Sequence, residues 1–165
     1  MNNIQDKILK IFYEFPSRAF TIRELSKLTK IPRATVHKYV LSLKKQDLIN
    51  EENKAKDNLL FKIKKTNFFV EKIISSGLVE FLMEKLNPSC IILFGSIRKG
   101  ESVLESDIDL FVESPVKKDL NLKLFEKKIG HKIQLFVEPK INKLQSNLFN
   151  NVLNGIKLYG SFSLK

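Results

Sequence analysis

The sequence predicts an α+β protein built in two parts, and three observations carry that reading. Up to residue 66 the apolar residues recur at helical spacing between short polar turns. Beyond it, short apolar runs of strand character alternate with helical stretches, too few for a doubly wound sheet. The charge divides at the same place: residues 1–66 hold 15 Lys and Arg against 7 Asp and Glu, a balance of +8, whereas residues 67–165 hold 14 against 11, a balance of +3. With 43% apolar and 28% charged residues the composition is that of a folded chain with a packed core. Two domains are expected, 1–66 and 67–165, the second including a linker helix.

Ile4, Ile8, Leu9, Ile11, Phe12 and Phe15 follow the period of an amphipathic helix that Pro16-Ser17 ends. Thr21 before Ile22-Arg23-Glu24 makes a Thr-x-x-Glu capping box. Its hydroxyl and the carboxylate satisfy two backbone N–H groups that a helix start leaves without partners, so a second helix is expected from about Ile22 to Leu28. Thr29-Lys30-Ile31 is a tight connection to Pro32, whose fixed φ suits the first turn of a third helix reaching about Gln46. Two helices joined so closely form a helix-turn-helix. In the third, Val36, Tyr39, Val40 and Leu43 share a face, and Lys38 and Lys45 lie opposite with Thr35 and Ser42 alongside. Leu48-Ile49-Asn50-Glu51, the polar turn Glu52 to Asn58, and Leu59 to Ile63 then read as a β-hairpin.

This order of elements resembles the winged helix-turn-helix of many prokaryotic regulators, over about residues 3–65. The resemblance implies DNA binding, and a concentrated positive field favours a polyanion. Arg33, Lys38 and Lys45 are then expected on phosphates, and Thr35 or Ser42 at base edges. A reader of a palindromic operator is expected to be a homodimer. The plainer alternative is a solvated lysine face that serves solubility.

Phe68 to Leu86 keeps a helical period but is interrupted at Ser75-Ser76-Gly77, which predicts one helix linking the two parts and another opening the second. After Pro88 come a strand over Cys90–Phe94, a loop, a strand over Ile108–Val112, a helix over about Asp119–Ile129, a strand over Ile133–Val137, a helix over about Ile141–Asn150 and a short tail. Cys90, the single cysteine, lies inside an apolar run and reads as a buried structural thiol. With His37 and His131 alone beside it, no Cys/His zinc site can be assembled. No apolar run approaches the roughly eighteen residues of a membrane span, and the start lacks a signal peptide's apolar segment. No membrane association and a cytoplasmic location are expected.

The chemistry concentrates in two segments. Phe94-Gly95-Ser96-Ile97-Arg98-Lys99-Gly100 offers a glycine for close backbone approach, a hydroxyl and two cations. Such a loop suits a polyphosphate, because N–H groups exposed at a turn bind anions. In Ser106-Asp107-Ile108-Asp109-Leu110 two carboxylates alternate with apolar residues, so on a strand Asp107 and Asp109 point to one face. Two such carboxylates repel unless a cation sits between them, and Mg²⁺ shared with substrate phosphates meets that need. The alternative is an exposed edge-strand face whose charges discourage aggregation.

The spacing of Gly95-Ser96, ten residues, then Asp107-x-Asp109 resembles the Gly-Ser-x10-Asp-x-Asp signature of the minimal nucleotidyltransferases of the DNA polymerase β superfamily, over about residues 78–160. Asn154 to Gly160 also looks like the Gly-x-x-Leu-Tyr-Gly ending common in that family. The resemblance implies a small α/β nucleotidyltransferase domain in which Gly95 and Ser96 cradle the β- and γ-phosphates. Lys99 takes a position where the family has Arg or Lys, and Asp107 and Asp109 become catalytic Mg²⁺ ligands. It further implies transfer of a nucleoside monophosphate, AMP from ATP in first place, to a protein acceptor with loss of pyrophosphate. Relatives of this kind act as antitoxins towards a partner of the HEPN ribonuclease class, and that partner is implied here.

The third carboxylate that such enzymes place on the strand after the helix is replaced by Gln134, in Lys132-Ile133-Gln134-Leu135-Phe136-Val137. An amide cannot act as a general base at neutral pH, and losing that base costs about 10²–10⁴ in rate. Glu138, of the same strand parity, is a candidate substitute, and His131 reads as a solvated turn residue. A second functional reading follows from Gln134. It makes the chain a DNA-binding transcriptional regulator whose transferase-like domain is weak or inactive, and senses a nucleotide or mediates assembly.

Overall fold

Residues 4–164 are described by the structure, a computed structural model. Among them are eight α-helices, one short 3-10 helix and four strands. They form two compact units, one of residues up to Lys65 with Ser102–Leu104, the other of Thr66–Glu101 and residues from Glu105 onward.

In the first unit α1 (Ile4–Glu14), α2 (Ile22–Thr29) and α3 (Arg33–Lys45) enclose Ile8, Phe12, Phe20, Leu25, Val36, Leu43 and Leu48, all fully buried. Phe12 meets Phe20 edge-on at 5.6 Å. Truncating a buried phenylalanine of this kind to alanine costs about 3–5 kcal/mol. The capping box forms as the spacing demands: the Glu24 N–H donates to the Thr21 hydroxyl at 3.2 Å, and the Thr21 N–H to the Glu24 carboxylate at 2.8 Å. Arg18 adds a contact at 2.9 Å, and these hydrogen bonds hold the Glu24 carboxyl below its ordinary range. Lys30, left-handed at φ 57°, ends α2 and turns the chain towards Pro32, which stands one place before α3.

The expected hairpin is shorter than its sequence reading. Ile49 and Ala55 make one antiparallel bridge, supported by the Asn50 N–H on Lys54 O at 2.9 Å and the Lys56 N–H on Leu48 O at 3.0 Å. Leu59 to Ile63 form no strand; they are the first turns of α4 (Leu59–Ser75). Asn58 decides this, since its side-chain oxygen accepts the Phe61 N–H at 2.8 Å and starts a helix. Within this unit the ammonium of Lys65, 1% exposed, donates to the Ser102 carbonyl, and burial pulls its pKa down to about 8.

The boundary between the units falls within α4. The second unit continues with α5 (Leu78–Leu86), β1 (Cys90–Phe94), α6 (Gly95–Lys99), β2 (Ile108–Glu113), α7 (Lys123–Ile129), β3 (Ile133–Glu138), a 3-10 turn (Ile141–Lys143), α8 (Ser146–Leu153) and β4 (Ile156–Gly160). The strands make one sheet in the order β3-β2-β1-β4, antiparallel at β1 with both neighbours and parallel between β2 and β3. The parallel step from β2 to β3 is a crossover that α7 supplies, and the return from β3 across the sheet to β4 is a second one that runs through the 3-10 turn and α8.

One sheet face carries Cys90, Ile92, Phe94 and Phe111 against Ile141 and Val152, with Phe136, Leu148 and Phe149 packed around them. Residues of opposite parity, Ile91, Leu93, Ile108, Leu110 and Val112, are buried on the other face. The helices α4, α5 and α7 contribute Phe69, Ile73, Leu78, Leu82 and Ile129 to the core. Lys72 Nζ on the Ile129 carbonyl at 2.6 Å, Lys128 Nζ on the Ser76 carbonyl at 3.0 Å and Phe81 on Phe125 at 5.0 Å tie them together. Cys90 is fully buried, and burial with the charge of Glu113 pushes its thiol up to about 11.

Four local expectations change. The loop after β1 is the short helix α6. The next helix starts at Lys123 and not near Asp119, where the Asn121 side chain accepts the Lys123 N–H at 3.2 Å. A single helix over 141–150 becomes a 3-10 turn and α8, because Leu144 and Gln145 take extended backbone and Leu144 joins the apolar core. The tail is strand β4, which ends at Gly160 (φ 67°), where a side chain would collide with the Ser89 carbonyl 1.9 Å away.

Candidate active site

Register brings the site together at one end of the sheet. Phe94, the last residue of β1, faces Asp109 of β2, and Asp109 faces Gln134 of β3. Cross-strand partners share a face, so the three side chains stand in a row. The next residue, Gly95, turns the chain into α6 with φ 73°, and a Cβ on it would lie 1.9 Å from Oδ2 of Asp109. Glycine is required twice over, for the backbone conformation and for the space the carboxylate occupies. Ser96 follows, half-buried. Lys99 is exposed and lies three and four residues beyond Ser96 and Gly95, on their side of the short helix.

Neighbouring backbone fixes α6. The Gly100 N–H reaches Ile97 O at 3.1 Å and the Glu101 N–H reaches Ser96 O at 3.0 Å. From α4 the buried Thr66 hydroxyl contacts the carbonyls of Ile97 at 3.1 Å and Arg98 at 3.2 Å. Nothing in the sequence around Thr66 signals this role.

Asp107 is exposed and lies just before β2, not within it. Burial and then the Asp107 charge raise the carboxyl pKa of Asp109, as expected of a half-buried acid with a like charge beside it. His131, read from sequence as a solvated turn residue, is 4% exposed. Its ring stands edge-on to Phe69 at 5.0 Å, and its Nδ1 contacts the Ser106 carbonyl at 2.7 Å. That burial depends on a residue far away in sequence, which local polarity cannot reveal.

Glu138 does not replace a third carboxylate. It is four residues along β3 from Gln134, about 13 Å for an extended strand. There it is in register with Glu113 at the other end of the sheet and pairs with Lys117 at 3.1 Å. Glu113 itself is committed to structure, accepting from the Ser89 hydroxyl at 2.6 Å and the Ile141 N–H at 2.8 Å. Gln134 is exposed beside Asp109.

Mg²⁺ fits this donor set as a cation that needs few protein ligands. Among the described residues no group of three or more His, Cys, Asp or Glu side chains is arranged to hold a metal. Asp107 and Asp109 offer carboxylate oxygens only, and Mg²⁺ is usually bound by one or two carboxylates with water and substrate phosphates completing its shell. A cation there would also relieve the repulsion that the two acids exert on each other.

In the first unit Lys38 and Lys45 are exposed on α3, with Thr35 and Ser42 half-buried on the same side, away from the buried Val36, Val40 and Leu43. Ser42 accepts from the Gln46 amide at 3.0 Å. Arg33 is exposed in the first turn, well round the helix from these four. Among the described residues no helix is long and apolar enough to cross a membrane.

Residues 75–158, just over half of the chain, match a family model described as a nucleotidyltransferase domain, and the matched span contains Gly95, Ser96, Lys99, Asp107, Asp109 and Gln134. No curated protein and no solved structure matches the chain.

Proposed function

Because the chain belongs to the nucleotidyltransferase domain family, we propose that it is a Mg²⁺-dependent nucleotidyltransferase moving AMP from ATP to a protein acceptor, with a first unit that binds its own operator DNA. The observation that carries this reading is the Asp109 carboxylate lodged over Gly95 at the start of α6. That arrangement keeps an acid beside a side-chain-free stretch of backbone, where a triphosphate can approach closely.

In this reading Gly95 and Ser96 receive the β- and γ-phosphates, Lys99 neutralises their charge from the same side of α6, and Asp107 and Asp109 hold Mg²⁺. When bound, the ion neutralises charge on the phosphates and orients them for in-line displacement. The acceptor oxygen bonds to the α-phosphorus, the bond from that phosphorus to the bridging oxygen breaks, and pyrophosphate leaves with the electron pair. The acceptor's proton passes to water, since Gln134 has no basic group. The antitoxin role towards a HEPN-type partner belongs to this same proposal, as the family resemblance implies it.

Gln134 in register with Asp109 favours a second reading, in which the transferase unit binds nucleotide without efficient transfer and the chain acts as a transcriptional regulator. One experiment separates the two. The protein is incubated with Mg²⁺, α-labelled ATP and the product of the adjacent gene. Label on protein that is lost on Asp107→Ala with Asp109→Ala supports transfer. Labelled ATP retained intact supports the regulator, and neither transfer nor retention overturns both.

A further inference from the structure

Asp107 has an unusual burden for a metal ligand. It is exposed and sits outside the ladder, since β2 begins at Ile108 and pairs with β1 only from Asp109. A side chain there can meet a cation in one geometry only if the backbone on both sides of it is held.

Two consecutive residues before β3 provide that hold. On the C-terminal side of Asp107, the Ile108 N–H donates to the Lys132 carbonyl at 2.8 Å. On its N-terminal side, the Ser106 carbonyl meets His131 Nδ1 at 2.7 Å. A carbonyl only accepts, so Nδ1 carries the hydrogen in this contact. The peptide joining Ser106 to Asp107 is therefore pinned by a side chain. The next peptide is pinned by the backbone of the adjacent residue.

The ring is itself fixed. His131 is 4% exposed, stands edge-on to Phe69 of α4 and follows Gly130, which closes α7 at φ 84°. Among the described residues its Nε2 has no hydrogen-bond partner and is buried. An apolar residue of similar shape would avoid that unsatisfied nitrogen, at a position where packing against Phe69 asks only for a ring. The contact that an apolar ring cannot make is the one to Ser106.

We infer that His131 is a positioning residue for Asp107, acting through the Ser106 carbonyl to set the geometry in which Asp107 meets a divalent cation with its nucleotide. The inference rests on the proposed role of Asp107 as a metal ligand. Residues that orient a ligand from behind typically change metal affinity by about 10–100-fold when replaced. His131→Phe keeps a ring against Phe69 and removes the donor. His131→Asn keeps a donor at the distance of Nδ1 and removes the ring's far end.

The test titrates Mn²⁺ with ATP against the full-length protein, following the free-ion electron paramagnetic resonance signal, with thermal midpoints measured on the same samples. Wild-type protein should bind Mn²⁺ in the presence of ATP, and Asp109→Asn should not. His131→Phe should then weaken binding about 10-fold or more while keeping a thermal midpoint near that of the wild type. His131→Asn should bind within about threefold of the wild type even where its midpoint is lower, because affinity follows the donor and not the packing. Equal affinity in wild type and His131→Phe, or equal loss in the Phe and Asn variants, would overturn the positioning role and leave the site assignment standing. Binding that is absent from the wild type, or unchanged in Asp109→Asn, would overturn the metal site together with the inference built on it.

Discussion

Oδ2 of Asp109 occupies the position where a side chain on Gly95 would begin, 1.9 Å from the ideal Cβ. The two residues are separated by the whole α6 connection, yet each sets what the other can be. Gly95→Ala must displace the carboxylate and also hold alanine at φ 73°. It should lower stability by about 1–3 kcal/mol and abolish nucleotide transfer. Adding Asp109→Ala removes the colliding atoms, so the double variant should recover part of that stability with a coupling of about 0.5–3 kcal/mol while transfer stays absent. Chemical denaturation of the four proteins measures it, and strict additivity would contradict the contact.

Asp109 lies in a setting that disfavours its charge, through burial and through Asp107. Asp109→Asn removes the charge and keeps the shape. In the absence of metal and nucleotide the Asn variant should unfold at a temperature about 1–3 °C above the wild type at neutral pH. A site arranged for binding and not for stability behaves this way. A lower midpoint for the variant would show that the Asp109 charge has a stabilising partner in the free protein.

Gln134 and Asp109 are in register on neighbouring strands, so Gln134→Asp restores a carboxylate beside the proposed metal ligand. Transfer should rise by about 10²–10⁴ if the missing group is a general base. Initial rates with labelled ATP check this, and an unchanged rate would show that a general base at this position does not limit transfer.

The parts of the molecule that are legible in the sequence are those whose signals are local. Thr21 and Glu24 cap α2 through atoms three residues apart. Pro32 marks the start of α3 within one position. The buried run Cys90–Phe94 and the alternation from Ile108 onward predict β1 and β2. Where the deciding partner lies elsewhere in the chain, local pattern misleads. Leu59 to Ile63 have strand-like composition, but the Asn58 side chain commits them to helix. Glycine is required at the end of β4 because a side chain on Gly160 would meet the carbonyl of Ser89, on the other side of the unit's sequence. His131 is polar and follows a glycine, and its burial goes with contacts to Phe69 and Ser106, both distant in sequence. Parity puts Glu138 on the face of Gln134, but parity carries no distance, and the sheet holds the two at opposite ends.

Lys65 provides a pH signature in the first unit. Burial lowers its pKa to about 8 from an ordinary value of 10.5. Between those values the unfolded chain holds more protons on this group than the folded one, so its contribution to stability rises with pH across that window and is lost as pH falls through about 8. The stability of wild type minus that of Lys65→Met should therefore increase from about pH 7.5 to about pH 10, as measured by denaturant titration at about five pH values. A flat difference would place the ammonium in contact with water.

On the proposed DNA-binding role of the first unit, Lys38→Ala with Lys45→Ala should weaken operator binding and reduce the slope of log affinity against log salt by about 2, one counterion for each phosphate that is no longer neutralised. The contribution of Arg33, which sits round the helix from these two, should be separable from theirs. Fluorescence anisotropy at several salt concentrations measures both, and an unchanged slope would mean that the lysines are solvated in the complex.

The sheet order has a consequence for how the second unit is made. β1 is central, and its outer neighbour β4 begins at Ile156, more than sixty residues after β1 ends at Phe94. At a synthesis rate of about 5–20 residues per second, β1 emerges about 3–12 seconds before the strand that covers it. During that interval β2 can pair with it from one side while its other edge of N–H and C=O groups stays open to strands of other chains. A nascent chain stalled between β3 and β4 would thus carry both Gly95 and Asp109 while the outer edge of β1 is still open to pairing.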